Sequence, residues 1–457
     1  MSLITRLINR PDVKRLPRFW FCLVMAFFFT LQPAATPAAD TSQAILQDTL
    51  TALWTGRDVG NQALKAMLNS GAVSGPELAS MIETAMPSIL DSQQTSRYIL
   101  KTLPERVDTL FAPHLGWQDF RKILWRTMTA PADRNNPLLL RVGTLAPPGT
   151  PWLSVPENII FPEINKLSDG KVLFKIYGGG VMGEDTDVLE KMKAAELESC
   201  GCTALGVLEA SPEAAILMLP FLFNNYEEID FVCDKFRKRL DEGFEKNGYI
   251  MVALIDTGFF YLFSRNKIAG LDDIRKQNVI TWFGLVETTL YQELGISPTP
   301  VAVPDTVSAL STGLADINAA PAAWMLGMQA FQYSNFYFKP PLVYSPAAVL
   351  ISAGTIKKLQ QQFGVSATFA KNIQEMMVVE FNTYEPEWKR QVRIYEEKSL
   401  KAFETKCGMK PLPFPPEDLK TMEKAAEAVQ QKLAGKLFPK DFLNDVQKAL
   451  KEYRATH

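Results

Sequence analysis

Several short stretches of this 457-residue chain carry residue types that could do chemistry. Cys200 and Cys202 in "SCGC" could hold a soft metal or exchange a disulfide. The second cysteine pair of a zinc site is missing, however, and Cys-x-Cys is not the redox Cys-x-x-Cys. "YGGGVMG" at 177–183 offers glycines for a phosphate but lacks both the G-x-G-x-x-G spacing and a Gly-Lys-Ser/Thr ending. It reads instead as a glycine turn approaching a helix N-terminus. The acidic pairs Asp272–Asp273 and Glu227–Glu228 lie near turns and helix starts, where a carboxylate meets the positive end of the helix dipole. Capping explains them without acid–base work, which would need a cleft and a raised pKa. Histidine is limited to His114 and His457, which speaks against a His triad or a His-rich metal centre. His114, in "FAPHLGW", reads as a loop or core histidine. No catalytic residue, metal or cofactor is expected. The remaining candidates are rings: "NVITWFG" at 278–284 is a β-branched run ending on Trp282 and Phe283, which either close a core or line a cavity.

The elements that must position such rings fall into two regions. Within residues 40–136, apolar positions in "TSQAILQDTLTALW", "SGPELASMIETAMPSIL" and "WQDFRKILWRTM" recur every three or four residues, the signal of amphipathic helices. "SGPEL" adds a helix start, with Ser74 or Gly75 ahead of Pro76 and Glu77 behind it. Three to five short helices are expected, closed by the polar linker "APADRNNP". From Leu138 strands and helices alternate: "LLLRVGTLA", "SVPENIIFPEINKLS", "KVLFKIYGGG" and "EDTDVLEKMKAAELES" predict an α/β domain with a largely parallel sheet. Residues 355–405 and 416–455 are helix-rich, with charged faces that read as solvated.

Composition narrows the function. Arg6, Arg10, Lys14, Arg15 and Arg18 precede the apolar run Phe19–Leu31 and the small residues "QPAATPAAD", which reads as a secretory leader over residues 1–39, cleaved near Ala38 or Ala39. The run is shorter than the roughly 20 residues that span a bilayer. Without the leader, 43 Lys and Arg face 49 Asp and Glu, a balance that disfavours nucleic acid as a partner. Four cysteines would remain, Cys200, Cys202, Cys233 and Cys407. Residues two apart rarely pair, so a bridge from Cys200 or Cys202 to Cys233 is one expectation and buried free thiols the other.

"LRVGTLAPPGTPW", "KVLFKIYGGGVMGEDTDVLEKMKAAELE", "LPFLFNNYEEIDFV" and "SALSTGLADINAAP" follow one another in an order and spacing that resembles the DctP-type periplasmic solute receptors of TRAP transporters, from about Leu138 to the C-terminus. The resemblance implies an α/β two-lobed clamshell with a ligand cleft and a long spanning helix within residues 365–405, preceded here by a small all-α domain. The expected division is 138–258 with about 341–380 for lobe I and 259–340 with about 381–457 for lobe II. It further implies a periplasmic, non-enzymatic receptor that hands a small-molecule solute to TRAP membrane subunits. Docking, self-association and shielding of the cleft all stay open for residues 40–136.

The chain departs from the family where the ligand's charge would be met. The family's strand arginine aligns with Ile280, a second arginine with Phe260 and an asparagine with Ala320. Phe259, Phe260, Trp282, Phe283 and Trp324, with Trp152 on the opposite lobe, would then form an apolar wall for a neutral or aromatic ligand. Three alternatives remain: an organic-acid receptor that recruits Arg265 or Arg141, a scaffold with a filled cleft, and an exported hydrolase built on a Ser–Lys or carboxylate pair.

Overall fold

The computed structural model describes residues 37–60, 62–71, 73–282 and 284–457. The expected leader, up to residue 36, and Phe283 lie outside the described residues. No described helix is long and apolar enough to cross a membrane.

Residues 37–129 form six helical segments rather than three to five: α1 (Pro37–Thr55), α2 (Gln62–Asn69), α3 (Gly75–Ser92), α4 (Arg97–Leu100), α5 (Leu103–Phe111) and α6 (Trp117–Thr129). The start of α3 follows the sequence signal. The Ser74 side chain caps the amide of Glu77, and the Glu77 carboxylate returns to the Ser74 amide at 2.7 Å. His114 lies in the turn between α5 and α6.

Beyond the linker the chain builds one ten-stranded sheet. In chain order come β1 (Leu138–Thr144), α7 (Pro151–Val155), β2 (Val172–Tyr177), α8 (Asp185–Lys193), β3 (Ser199–Cys202), α9 (Ala204–Ala210), α10 (Tyr226–Lys235), α11 (Arg237–Lys246) and β4 (Tyr249–Ser264). They are followed by β5 (Val279–Thr281), β6 (Thr299–Pro300), β7 (Ile317–Pro321), α12 (Ala322–Gly327), β8 (Phe336–Lys339), β9 (Val343–Ser352), α13 (Ala367–Thr405), β10 (Lys410–Pro413), α14 (Pro416–Leu433) and α15 (Lys440–Thr456). The main strand order is β2-β1-β3-β9-β4-β7-β5-β6. The sheet is mixed rather than largely parallel: β2-β1-β3 and β7-β5-β6 are parallel units, joined by the antiparallel pair β9 and β4.

The joining strands are long because they serve both lobes. β4 has 16 residues, about 50 Å when extended, and is buried almost throughout. Its pairing with β9 shifts register between Met251 and Ala253 and again between Asp256 and Gly258, where Gly258 has φ 126°. Bulges bend and twist a strand, and these two sit where one lobe gives way to the other. The long spanning helix is α13, 39 residues and about 58 Å, started by the Ser366 side chain accepting from the Phe369 amide at 3.1 Å.

The helical domain packs on the N-terminal half of α13. Arg97 donates to both Glu375 oxygens, at 2.9 and 3.0 Å, and to Glu245 on α11 at 2.9 Å. Arg121 pairs with Glu380, which also accepts from Trp125 Nε1 at 2.9 Å. Asn372 accepts from the Thr95 amide and donates to the carbonyls of Leu90 and Gln93. These contacts are made within one chain, and nothing in them supports self-association.

Cysteine pairing differs from the expectation. Cys200 is bonded to Cys202, and Cys233 and Cys407 are free. Residues two apart on a strand share a face, and the Cα separation of 5.3 Å lies inside the disulfide range.

Candidate functional site

Between the two parallel units lies a cleft that encloses a cavity of about 80 Å³. Its wall draws on every element that meets there. β1 supplies Val142 and Thr144, α7 Trp152, β4 Phe260, α12 Trp324 and α13 Trp388, while Trp282 follows directly after β5. No Asp, Glu, Lys, Arg or His stands on the wall among the described residues.

The rings stand at angles to one another. Phe260 meets Trp282 edge to face, with centroids 5.8 Å apart and planes at 89°. Trp282 meets Trp324 at 4.5 Å and 72°. Deeper in the first lobe, Phe161 and Phe174 stack at 4.3 Å, and Phe381 of α13 meets both edge-on. Polar handles are turned inward to the protein. Trp152 Nε1 donates to the Asp256 carbonyl at 2.8 Å, Trp282 Nε1 to Thr306 Oγ1 at 2.7 Å and Trp388 Nε1 to the Pro151 carbonyl at 3.0 Å. The hydroxyls of Thr144, Ser199, Thr203 and Thr257 likewise donate within the protein. Trp324 Nε1 is the exception: it is buried and has no acceptor among the described residues.

Behind the wall, buried carboxyl groups and their hydrogen bonds hold the rings in place. The buried Asp256 carboxylate accepts from Tyr344 at 2.8 Å and Arg393 at 2.7 Å, next to the carbonyl that fixes Trp152. Glu396 of α13 accepts from the amides of Ala322 at 2.9 Å and Ala323 at 2.7 Å, and so positions the helix that carries Trp324. Burial pushes the Glu396 carboxyl up to about 8 despite those two bonds. Asp185, at the start of α8, is likewise raised by burial to about 7 while it holds Thr203 and Gly206.

At the mouth the lobes touch. The glycine turn at 178–183 brings Gly180 against Pro304, where an added Cβ would lie 3.0 Å from the proline ring. Glu184 Oε2 accepts from the Val303 amide at 2.6 Å, a bond from one lobe to the other. The glycine stretch is therefore a turn before a helix, as its spacing implies, and it forms a rim of the cleft. The acidic pairs also cap: Asp273 accepts from the Ala269 amide, and Glu228 from the Asn224 amide and from Arg454.

Of the wall residues expected from sequence, Trp152, Phe260, Trp282 and Trp324 meet in the cleft. Phe259 does not. Neighbours on a strand point to opposite faces, so Phe259 packs on the far side against Tyr226 at 5.0 Å and Tyr344 at 5.7 Å. Ile280 and Ala320 are buried inside β5 and β7 and stay off the wall. Arg141 is paired with Glu198, and Arg265 donates to the Leu310 carbonyl, so neither reaches the cleft. Trp388, Phe161, Phe174 and Phe381 escaped sequence reasoning. A signal for Trp388 existed in its spacing to the buried Val392 and Glu396 on α13.

The comparisons agree with this architecture. The fold is similar to that of the sugar acid binding protein DctPAm from Advenella mimigardefordensis in complex with galactonate, with a TM-score of 0.62 and 21% identity over 69% of this chain and 99% of that one. It is also similar to a TRAP periplasmic solute binding protein from Desulfovibrio salexigens with bound orotic acid, with a TM-score of 0.60 and 17% identity over 70% of this chain and 99% of that one. A solute-binding protein of Verminephrobacter eiseniae is 23% identical over 199 residues, 43% of this chain and 59% of the relative. One of Chromohalobacter salexigens is 20% identical over 204 residues, 44% of this chain and 60% of the relative. The chain thus spans about three fifths of the length of these curated relatives. With the family model of bacterial extracellular solute-binding protein family 7 matching residues 143–436, the two parallel units and the cleft between them are accounted for, and the chain belongs to that DctP family.

Proposed function

We propose that this chain is an exported receptor, not an enzyme, which takes a neutral, largely apolar or aromatic solute and passes it to the membrane subunits of a TRAP-type transporter driven by an ion gradient. The observation that carries the ligand class is the lack of any charged side chain on the described cleft wall. Similar proteins are known with galactonate and orotic acid. Sealing such a carboxylate here, with no cation to meet it, would cost several kcal/mol. An aromatic solute burying about 200 Å² of apolar surface would instead gain roughly 5 kcal/mol, before its loss of free motion is counted.

Binding works by closure. The bulged strand β4, its partner β9 and the helix α13 join the lobes, and the bond from Glu184 to the Val303 amide exists only when they are together. A solute that touches Trp152 on one lobe and Phe260, Trp282 and Trp324 on the other favours the closed form over the open one by its contacts to both. The closed form is the one that docks on the membrane subunits. Export into the periplasm rests on the basic and apolar residues at 6–31. The test is native mass spectrometry of the purified protein together with a thermal-shift screen. Neutral aromatic compounds should raise the melting temperature and sugar acids should leave it unchanged. Tight galactonate or succinate binding without any response to apolar compounds rejects the reading.

A further inference from the structure

β3 carries Cys200 and Cys202 on one face, and Asp185 approaches them from the start of α8. One ligand atom from each of the three residues lies within 4.8 Å of the others, and all three residues are buried. Asp185 uses Oδ2 for three bonds, from the Thr203 amide at 2.9 Å, Thr203 Oγ1 at 2.6 Å and the Gly206 amide at 3.0 Å. Its Oδ1 is buried and has no partner. A buried carboxylate oxygen without a donor is unfavourable, and the sulfurs of a disulfide have no hydrogen to give it. The packing does not let the groups drift apart: a Cβ on Gly206 would lie 2.7 Å from Cys202 Cβ and 3.0 Å from Asp185 Cγ.

We infer that Asp185, Cys200 and Cys202 form a redox-gated site for a thiophilic divalent cation of the zinc class. In the oxidised protein the site is closed as the disulfide. A dithiol reductant opens it: the S–S bond takes two electrons and two protons, and the reductant leaves as its own disulfide. The cation then displaces the two thiol protons to solvent and is held by two thiolates, with Asp185 Oδ1 as third donor. Two sulfurs and one carboxylate oxygen suit a soft or borderline ion and are too few oxygens for calcium or magnesium. Cys202 and Thr203 stand on the cleft wall, which supplies the entry route and leaves the open coordination position on the cleft side. The site does not depend on which solute the cleft takes.

The experiment uses the full exported chain with Cys233→Ser and Cys407→Ser, so that two thiols remain. Cadmium is titrated into oxidised and reduced protein, and binding is read by thiolate-to-cadmium absorbance and by native mass spectrometry. One ion should bind to the reduced protein and none to the oxidised. Cys202→Ser should abolish binding, and Asp185→Asn should weaken it by about tenfold or more with both thiols still titratable. The inference is overturned if the reduced protein takes up no ion, if the oxidised protein binds equally well, or if Asp185→Asn leaves the affinity unchanged. Should Asp185→Asn fail to fold, the cadmium NMR shift of the reduced parent, with or without an oxygen donor beside the two sulfurs, decides the same point.

Discussion

The two faces of α13 treat charge in opposite ways. On the back, where the helical domain packs, Arg97 and Arg121 are buried against Glu375 and Glu380, with Trp125 completing the set. On the front, Met377, Phe381 and Trp388 of the same helix look into a cleft that holds no charged side chain among the described residues. A buried guanidinium is tolerable where its carboxylate is covalently part of the same chain and never leaves. Where the partner must come and go, a cation on the wall loses its counter-ion at each departure and has to be met by water instead. The protein thus keeps these arginine–carboxylate pairs for structure.

The largest effect that could break this contrast is expected on the back. Glu380→Ala removes the acceptor of both Arg121 and Trp125, and loss of one partner of a buried pair should destabilise by about 3–5 kcal/mol. Chemical denaturation followed by tryptophan fluorescence measures it, and a change below about 1 kcal/mol would mean that the domain is not held by these ions. The next effect is on the front. Trp282→Ala should weaken a neutral aromatic ligand by about 2 kcal/mol, some thirtyfold in Kd by titration calorimetry, with no gain of sugar-acid binding.

A third test lies between the faces. Because the Glu396 carboxyl is raised to about 8 in the folded protein, it binds its proton more tightly folded than unfolded. Its contribution to stability is whole below the ordinary carboxylate range, falls as pH rises from about 4.5 to about 8, and stays lost above. Melting temperature should therefore decline across that window, and Glu396→Gln should flatten the decline. An equal slope in both proteins refutes the assignment. The smallest effect belongs to the rim. Glu184→Gln weakens the single bond to the Val303 amide by about 1 kcal/mol, which should lower ligand affinity about fivefold and enlarge the protein slightly in small-angle scattering without ligand.

Much of the frame was legible because it is written locally. Ser74 and Glu77 announce α3 and the strand–helix alternation announces the α/β domain, whereas the two lobes and the long helix α13 were implied by the family resemblance. The cleft was legible as far as ring identity goes: Trp152, Phe260, Trp282 and Trp324 are large apolar residues that line it, though of these only Phe260 stands where the resemblance implies a ligand contact. Facing was not. The register shift between Asp256 and Gly258 decides which of Phe259 and Phe260 looks into the cleft, and a bulge leaves no mark in an unbroken apolar run. The Cys200–Cys202 bond was not legible because residues two apart seldom pair, yet on β3 their Cα atoms lie 5.3 Å apart, within the disulfide range. The packing of the helical region was hidden for a simpler reason: its partners on α13 lie 259 and 278 residues away.

That last separation bears on how the molecule comes to exist. Arg97 and Arg121 emerge early, and their counter-ions sit on one of the last elements to be made. Helices α1–α6 can form early, yet they stay unlatched until α13 arrives, and contacts of such span are slow to close. The final third of the polypeptide therefore works as a drawstring. A truncation there should leave the beginning of the protein, and not merely its end, open to proteases.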